Sequence, residues 1–97
     1  MGAEIDVGRE AKFEIAEAYQ WYETRRFGLG ESFLKNVDEC FEQISQMPAR
    51  FGRVQRTYRR ARLKSFPYYV IFQIKPSCIA IVSVLHTSRD LTARLNQ

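Results

Sequence analysis

The spacing of apolar positions along this 97-residue chain changes twice. Ala3 to Val7 alternate, with Ile5 and Val7 on one side, which predicts a short first strand. Its brevity and charge suit a sheet edge. From Arg9 the period lengthens. Ala11, Ile15, Ala18 and Tyr22 recur at intervals of four, three and four, the stripe of an amphipathic helix, with Tyr19 alongside. Glu10, Glu14, Glu17 and Glu23 are expected on or beside the opposite face, and acidic residues early in a helix suit its dipole. Trp21 falls next to the stripe and is expected in the core. Phe27-Gly28-Leu29-Gly30 then breaks the helix, and so short a break predicts an antiparallel helix pair. The second helix is expected from Glu31 to Gln46, with Phe33, Val37, Cys40, Phe41 and Ile44 inward and Met47-Pro48 marking its end. Ala49 to Thr57 read as a loop or short irregular strand, with Arg50, Arg53 and Arg56 three apart.

From Tyr58 to Asp90 the period falls to two. Ala61 and Leu63 alternate with Arg60, Arg62 and Lys64, predicting a strand with one apolar and one basic face. Phe66-Pro67 interrupts it, because proline lacks an N–H and biases its predecessor away from helix. Tyr69 to Lys75 resumes as strand, and Lys75-Pro76-Ser77-Cys78 reads as a hairpin connection. Ile79 to Leu85 is nearly all apolar, as expected of a strand buried on both faces. His86-Thr87-Ser88-Arg89-Asp90 follows at that strand's end, where function is expected to reside. The architecture that results is α+β in the order β-α-α-β-β-β. A helical hairpin packs on one face of a mostly antiparallel sheet, and the other face or rim presents Arg60, Arg62 and Lys64.

Length and composition change this picture little. Residues 1–97 make one domain, and 45% hydrophobic with 13% aromatic residues is a folded composition. The longest apolar run is far short of the roughly 20 residues of a membrane helix, and the N-terminus does not resemble a signal peptide, so a cytoplasmic protein without membrane contact is expected. Cys40 and Cys78 are expected as buried free thiols. One His and two Cys offer no metal-ligand spacing, and neither a metal nor a cofactor is expected.

Charge changes the picture more. Residues 1–47 hold five Lys/Arg against ten Asp/Glu, whereas residues 48–97 hold ten against Asp90 alone. A basic half of this kind calls for a counter-charge: nucleic acid, an acidic protein surface, or its own acidic half.

An ordered set of short motifs runs along the chain. It comprises Ala11-x3-Ile15-x2-Ala18-x2-Trp21-Tyr22-Glu23, Gly28-Leu29-Gly30-Glu31-x-Phe33 and Ile44-x2-Met47-Pro48. It continues with Arg62-x3-Phe66-Pro67-Tyr68-x-Val70-x-Phe72 and Val84-x-His86-x2-Arg89-Asp90. With these the chain resembles the ParE/RelE superfamily of bacterial type II toxins, often described as plasmid-stabilisation proteins. The resemblance implies the fold already derived, with a short C-terminal tail. It also implies a cognate antitoxin, a small protein whose disordered tail folds on the toxin in an oligomeric complex. Tyr19, Trp21, Tyr22 and Phe27 are candidates for that contact, although each is also expected to serve the core.

The resemblance divides by target. RelE-like members cut messenger RNA on the ribosome; ParE-like members inhibit DNA gyrase. In RelE-like chains an arginine commonly follows the tyrosine that opens the strand after the FPY-equivalent; here that position is Tyr69. A second arginine position falls at Thr87, with Arg89 two residues on. No aromatic residue lies in Leu91 to Gln97 to match a C-terminal catalytic tyrosine. These departures place the chain nearer the ParE side. The expected target-binding residues are Arg60, Arg62, Lys64, Tyr68, His86 and Arg89. Were the chain instead a ribosome-dependent endoribonuclease, His86 would be its acid or base, Arg89 and Arg62 would hold the phosphate, and Tyr68 or Tyr69 would stack on a base. A non-toxic binding protein of the same fold is the third reading.

Overall fold

In the computed structural model, which describes residues 2–91 and residue 95, two helices lie on one five-stranded sheet. The elements are β1 (Ile5–Val7), α1 (Arg9–Arg25), α2 (Leu29–Gln46), a 3-10 turn (Pro48–Arg50), β2 (Arg53–Gln55), β3 (Tyr58–Arg62), β4 (Tyr68–Ile74) and β5 (Ile79–His86). The strand order is β1-β5-β4-β3-β2, with β1 parallel to β5 and every other pair antiparallel. The α+β class and the helical hairpin are as the sequence predicts, and β1 is an edge strand. β2 adds a fifth strand in the stretch expected as loop or irregular strand. The expected C-terminal tail lies outside the described residues at 92–94 and 96–97.

The core forms between the helices and one sheet face. Ala11 and Ala18 of α1 and Phe33, Val37, Cys40 and Ile44 of α2 pack against Ala61, Leu63, Val70, Phe72, Ile79, Ile81 and Val84. Two apolar residues stand outside that cluster: Ile71 and Leu85 are buried, and their register partners include Arg60 and Tyr69. β5 is therefore covered on both faces, as its uninterrupted apolar sequence requires.

Two of the acidic residues expected on the solvated face of α1 turn inward. Glu23 accepts hydrogen bonds from the backbone N–H of Gly28 at 3.0 Å and of Gly30 at 2.9 Å. It thereby occupies donors that the first turn of α2 leaves unsatisfied, and brings a negative charge to the positive end of that helix. The glycines make this possible. Gly28 has φ 86°, and a Cβ on Gly30 would meet Tyr19 carbonyl oxygen at 2.8 Å.

Glu14 does the corresponding work at the sheet. β1 covers β5 only from Ile79 to Ile81, because Gly8 donates to Ile81 carbonyl at 2.9 Å and the chain then turns into α1. Beyond a bulge, where Ile71 pairs with Ser83 and Phe72 with Ile81, no strand among the described residues lies beside the outer edge of β5. Glu14 Oε1 accepts from Val84 N at 2.9 Å and from Ser83 Oγ at 2.8 Å. A periodicity argument assigns glutamate to the wet face because it sees polarity, not the unsatisfied backbone across the interface.

Cys40 is buried, and burial pushes its thiol up to about 11. Cys78, expected buried, is half-buried at the β4–β5 connection, and both thiols are free. No helix among the described residues is long and apolar enough to cross a membrane.

Glu14→Ala strands two donors at a part-buried edge and is expected to cost about 2 kcal/mol. In urea denaturation Glu14→Gln, which keeps one acceptor oxygen, is expected to lose less than half as much. Equal losses would show that the charge and not the acceptor matters.

Candidate functional site

Strand alternation sorts the candidate residues onto two faces. On β3, Leu63 N donates to Tyr68 carbonyl at 2.9 Å while Arg60 N donates outward to Gly52 carbonyl at 3.2 Å. Ala61 and Leu63 are buried against the helices, and Arg60, Arg62 and Lys64 are exposed, as their alternation predicts. Arg62 pairs in register with Tyr69, and the Arg60 guanidinium lies over the Tyr69 ring at 4.4 Å. Arg60 and Tyr69 thus form a cation–aromatic pair on the face away from the helices.

Arg62 bends back at the strand end, where its Nη1 donates to Leu63 carbonyl at 3.3 Å. With Lys64 it lines a groove beside α2 whose other wall is Asn36, Glu39, Cys40, Glu42 and Gln43. Part of the basic strand therefore faces the protein's own acidic helix. β2 ends its pairing at Arg59, so past Arg60 no strand among the described residues covers the outer edge of β3.

Tyr68, His86 and Arg89 assemble elsewhere. Tyr68 and His86 are register partners with ring centroids 5.3 Å apart. Tyr68 belongs to an aromatic cluster on the helix side. Its ring centroid lies 5.1 Å from Phe33 and 6.2 Å from Tyr22, and Tyr22 in turn lies 4.9 Å from Phe66. Burial first, then the nearby Tyr22 hydroxyl to which it is hydrogen-bonded, pushes Tyr68 up to about 12, while the Arg89 charge opposes that rise. Tyr22 is raised by burial and lowered by the same hydrogen bond.

His86 Nδ1 accepts the Ser88 backbone N–H at 3.1 Å and lies 2.8 Å from Ser88 Oγ. A neutral imidazole has one donor and one acceptor nitrogen, so accepting the amide at Nδ1 puts the ring proton on Nε2. The outward nitrogen is then a donor. Arg89 N closes the same turn by donating to His86 carbonyl at 2.9 Å.

The four residues assigned to a nuclease, His86, Arg89, Arg62 and Tyr69, are therefore not brought together. His86 and Arg89 gather with Tyr68 at the helix-side end of the sheet, Arg62 lies with Lys64 in the groove beside α2, and Tyr69 is on the opposite face. Among the described residues no group of acids, His and Cys is placed to hold a metal ion.

A second surface lies on the outer face of α1. Trp21, expected in the core, is 51% exposed and Phe27 is 95% exposed. Trp21 falls on the neighbouring helical position to the buried stripe, where a wide ring reaches solvent. Its ring carries the Arg25 guanidinium at 3.5 Å and meets Tyr22 edge-on at 5.1 Å. Phe13, which the stripe does not mark, is 63% exposed, and with Ala16, Glu17, Gln20, Trp21 and Thr24 it lines a shallow groove. Tyr19 is half-buried with its hydroxyl donating to Glu31 at 3.2 Å, which first among several causes raises its pKa. Of the four antitoxin candidates, Trp21 and Phe27 are exposed, Tyr22 packs on the core, and Tyr19 is half-buried at the surface against Glu31. The spacing Phe13–Trp21, eight residues on one α-helix, is the sequence signal for this face.

The profile of the family described as "ParE toxin of type II toxin-antitoxin system, parDE" matches residues 5–91. The comparison with curated proteins finds no match. Among solved structures, a chain described as "Chromosomal ParDE TA system from P. aeruginosa" is similar in fold, with a TM-score of 0.71 at 20% identity. The match covers 87% of this chain and 95% of that one.

Neutral Tyr68 holds its proton more tightly in the fold than in the unfolded chain, so its contribution to stability is complete below pH 10. It is expected to decline as pH rises from 10 towards about 12. Alkaline denaturation midpoints across that window should fall less steeply for Tyr68→Phe than for the parent. Parallel curves would show that the Tyr68 hydroxyl titrates alike in the folded and unfolded states.

Proposed function

The chain belongs to the ParE toxin family of type II toxin–antitoxin systems, and we propose that it acts by binding DNA gyrase, not by cutting RNA. The observation that carries this reading is the separation of the nuclease candidates. Cleavage through a ribose 2′-hydroxyl needs a base, an acid and cations within hydrogen-bond reach of one phosphate. Here Tyr69 stands on the sheet face opposite Tyr68 and His86, Arg62 turns into the groove beside α2, and the His86 acceptor nitrogen is occupied by Ser88. An inhibitor that works by binding needs no such convergence. It needs a surface, and Arg60, Arg62 and Lys64 offer one of exposed cations suited to an acidic protein or protein–DNA face.

The cognate antitoxin is the natural occupant of the other surface. Phe13 and Trp21 give a helix groove two large apolar anchors, and a disordered segment that folds on binding uses anchors of this kind. The complex is expected to be oligomeric and the toxin to act in the cytoplasm.

Expression followed by pulse-labelling of DNA and protein synthesis in one culture tests the target. DNA synthesis is expected to stop first, with filamentation; collapse of protein synthesis within minutes would return the nuclease reading. Arg60→Glu/Arg62→Glu/Lys64→Glu is expected to abolish toxicity in a folded protein, whereas His86→Ala should change gyrase inhibition less than twofold. A folded triple variant that remains toxic would remove this face from the mechanism. Phe13→Ser/Trp21→Ser should weaken antitoxin binding at least tenfold in calorimetry, with toxicity retained; unchanged affinity would place the antitoxin elsewhere.

A further inference from the structure

Arg50, Arg53 and Arg56 have no part in the site above. All three are exposed, in the segment that leads from the 3-10 turn through β2 to the tip of the β2–β3 hairpin. Gln55 pairs with Tyr58, so Arg56 and Thr57 form the tip, and Arg56 is held at φ 52°. It is the only non-glycine with positive φ among the described residues. Hairpin positions of this kind favour glycine or asparagine, and a side chain there carries a conformational cost. The tip is also braced: Gln73 Nε2 donates to Thr57 Oγ1 at 2.9 Å. Behind it, Arg59 Nη1 ties Phe51 carbonyl at 2.6 Å and Ala49 carbonyl at 3.3 Å, anchoring the segment that carries Arg50.

The stretch of chain around them is uniformly basic. From Gln43 to Arg89 the sequence contains nine Lys/Arg and not one Asp or Glu. We propose that the β2–β3 ribbon, through Arg50, Arg53 and Arg56, binds the phosphate backbone of duplex DNA, independently of any protein target. Charge complementarity selects a polyanion. An acidic protein would use apolar anchors at the centre of its contact, and none of the large exposed apolar residues, Phe13, Trp21, Phe27, Met47 and Ile74, lies on this ribbon. The same fact selects duplex over single strands, whose binders stack bases on exposed aromatic rings. The two rings nearby are both half-buried: Tyr58 opens β3 beside the tip, and Phe51 packs edge-on against Phe72 with the Arg50 guanidinium 5.0 Å from its centroid. β3 is paired with β4 on its inner side, so the hairpin meets a duplex with its tip, where Arg56 stands; the major groove of B-DNA is wide enough to admit such a tip, whereas that of duplex RNA is too narrow.

The test is fluorescence anisotropy of the purified protein with a labelled 20-base-pair DNA of arbitrary sequence, in 50 to 200 mM KCl and without gyrase. Binding is expected to weaken steeply with salt. Arg50→Gln/Arg53→Gln/Arg56→Gly should lower affinity at least tenfold and reduce the log–log salt slope by roughly 0.9 for each phosphate that is no longer neutralised. Arg9→Gln/Lys12→Gln/Lys35→Gln removes the same charge from exposed helix positions and should cost less than twofold. Arg56→Gly alone should raise the thermal midpoint while weakening DNA binding, which separates phosphate binding from folding. Absence of binding by the parent, equal losses in the two triple variants, stabilisation by Arg56→Gly with unchanged affinity, or tighter binding to single strands or duplex RNA of equal length would each overturn the proposal. Because gyrase is absent, failure here leaves the gyrase reading untouched.

Discussion

The architecture depends on how one strand, β5, is satisfied at its outer edge. β5 must be internal, because its run from Ile79 to Leu85 has no polar face to give to water. Its partner there, β1, is three residues long and ends where the chain turns into α1. The remaining edge would expose backbone donors beside a helix, which is costly unless they are met. Glu14 meets Val84 and Ser83 from α1, across 70 and 69 residues of sequence. The contact does two things at once. It completes the edge, and it fixes the rotation of α1 about its axis, so that Ala11 and Ala18 face inward while Phe13 and Trp21 are left outside.

That rotation explains why the motifs spread along the chain converge. Tyr22, Phe33, Phe66 and Tyr68 come from three separate motifs, yet their rings pack into one cluster, with centroid separations from 4.9 to 6.2 Å. Aromatic residues of this size contribute both buried area and edge-on geometry. Glu23 and the two glycines after it set the tight connection that delivers Phe33 to the cluster. The pattern that marks the family is therefore largely a packing constraint. It says how the hairpin meets the sheet and little about what the toxin touches.

This is also why the fold is more legible in the sequence than the site. Period and breakers locate both helices and the three longer strands, since alternation and the 3.6-residue stripe follow directly from burial. The inward roles of Glu14 and Glu23 are not legible. A carboxylate that accepts from distant backbone looks, in one dimension, the same as one that faces water. Trp21 is misplaced by periodicity for a related reason: a position flanking the stripe is decided by ring size and by the neighbour that covers it. Alternation does separate Arg62 from Leu63 correctly. Setting His86 on the opposite face from Tyr69 requires the strand pairing, because register between β3, β4 and β5 decides which side chains share a surface.

The charge asymmetry takes on a definite meaning once the layers are known. An acidic half and a basic half in one chain suggest mutual neutralisation, and at one place they meet: Arg62 and Lys64 share a groove with Glu39 and Glu42. Elsewhere the geometry forbids it. The acids sit mainly in the helix layer and the arginines of β2 and β3 in the sheet, in a molecule whose shortest extent is 21 Å. At physiological ionic strength the screening length is about 8 Å, so exposed charges across that thickness hardly interact. Arg53, Arg56 and Arg60 are consequently screened from most of the helix-layer carboxylates. The basic stretch thus divides into an inner end that its own helix partly answers and an outer hairpin set apart from that helix.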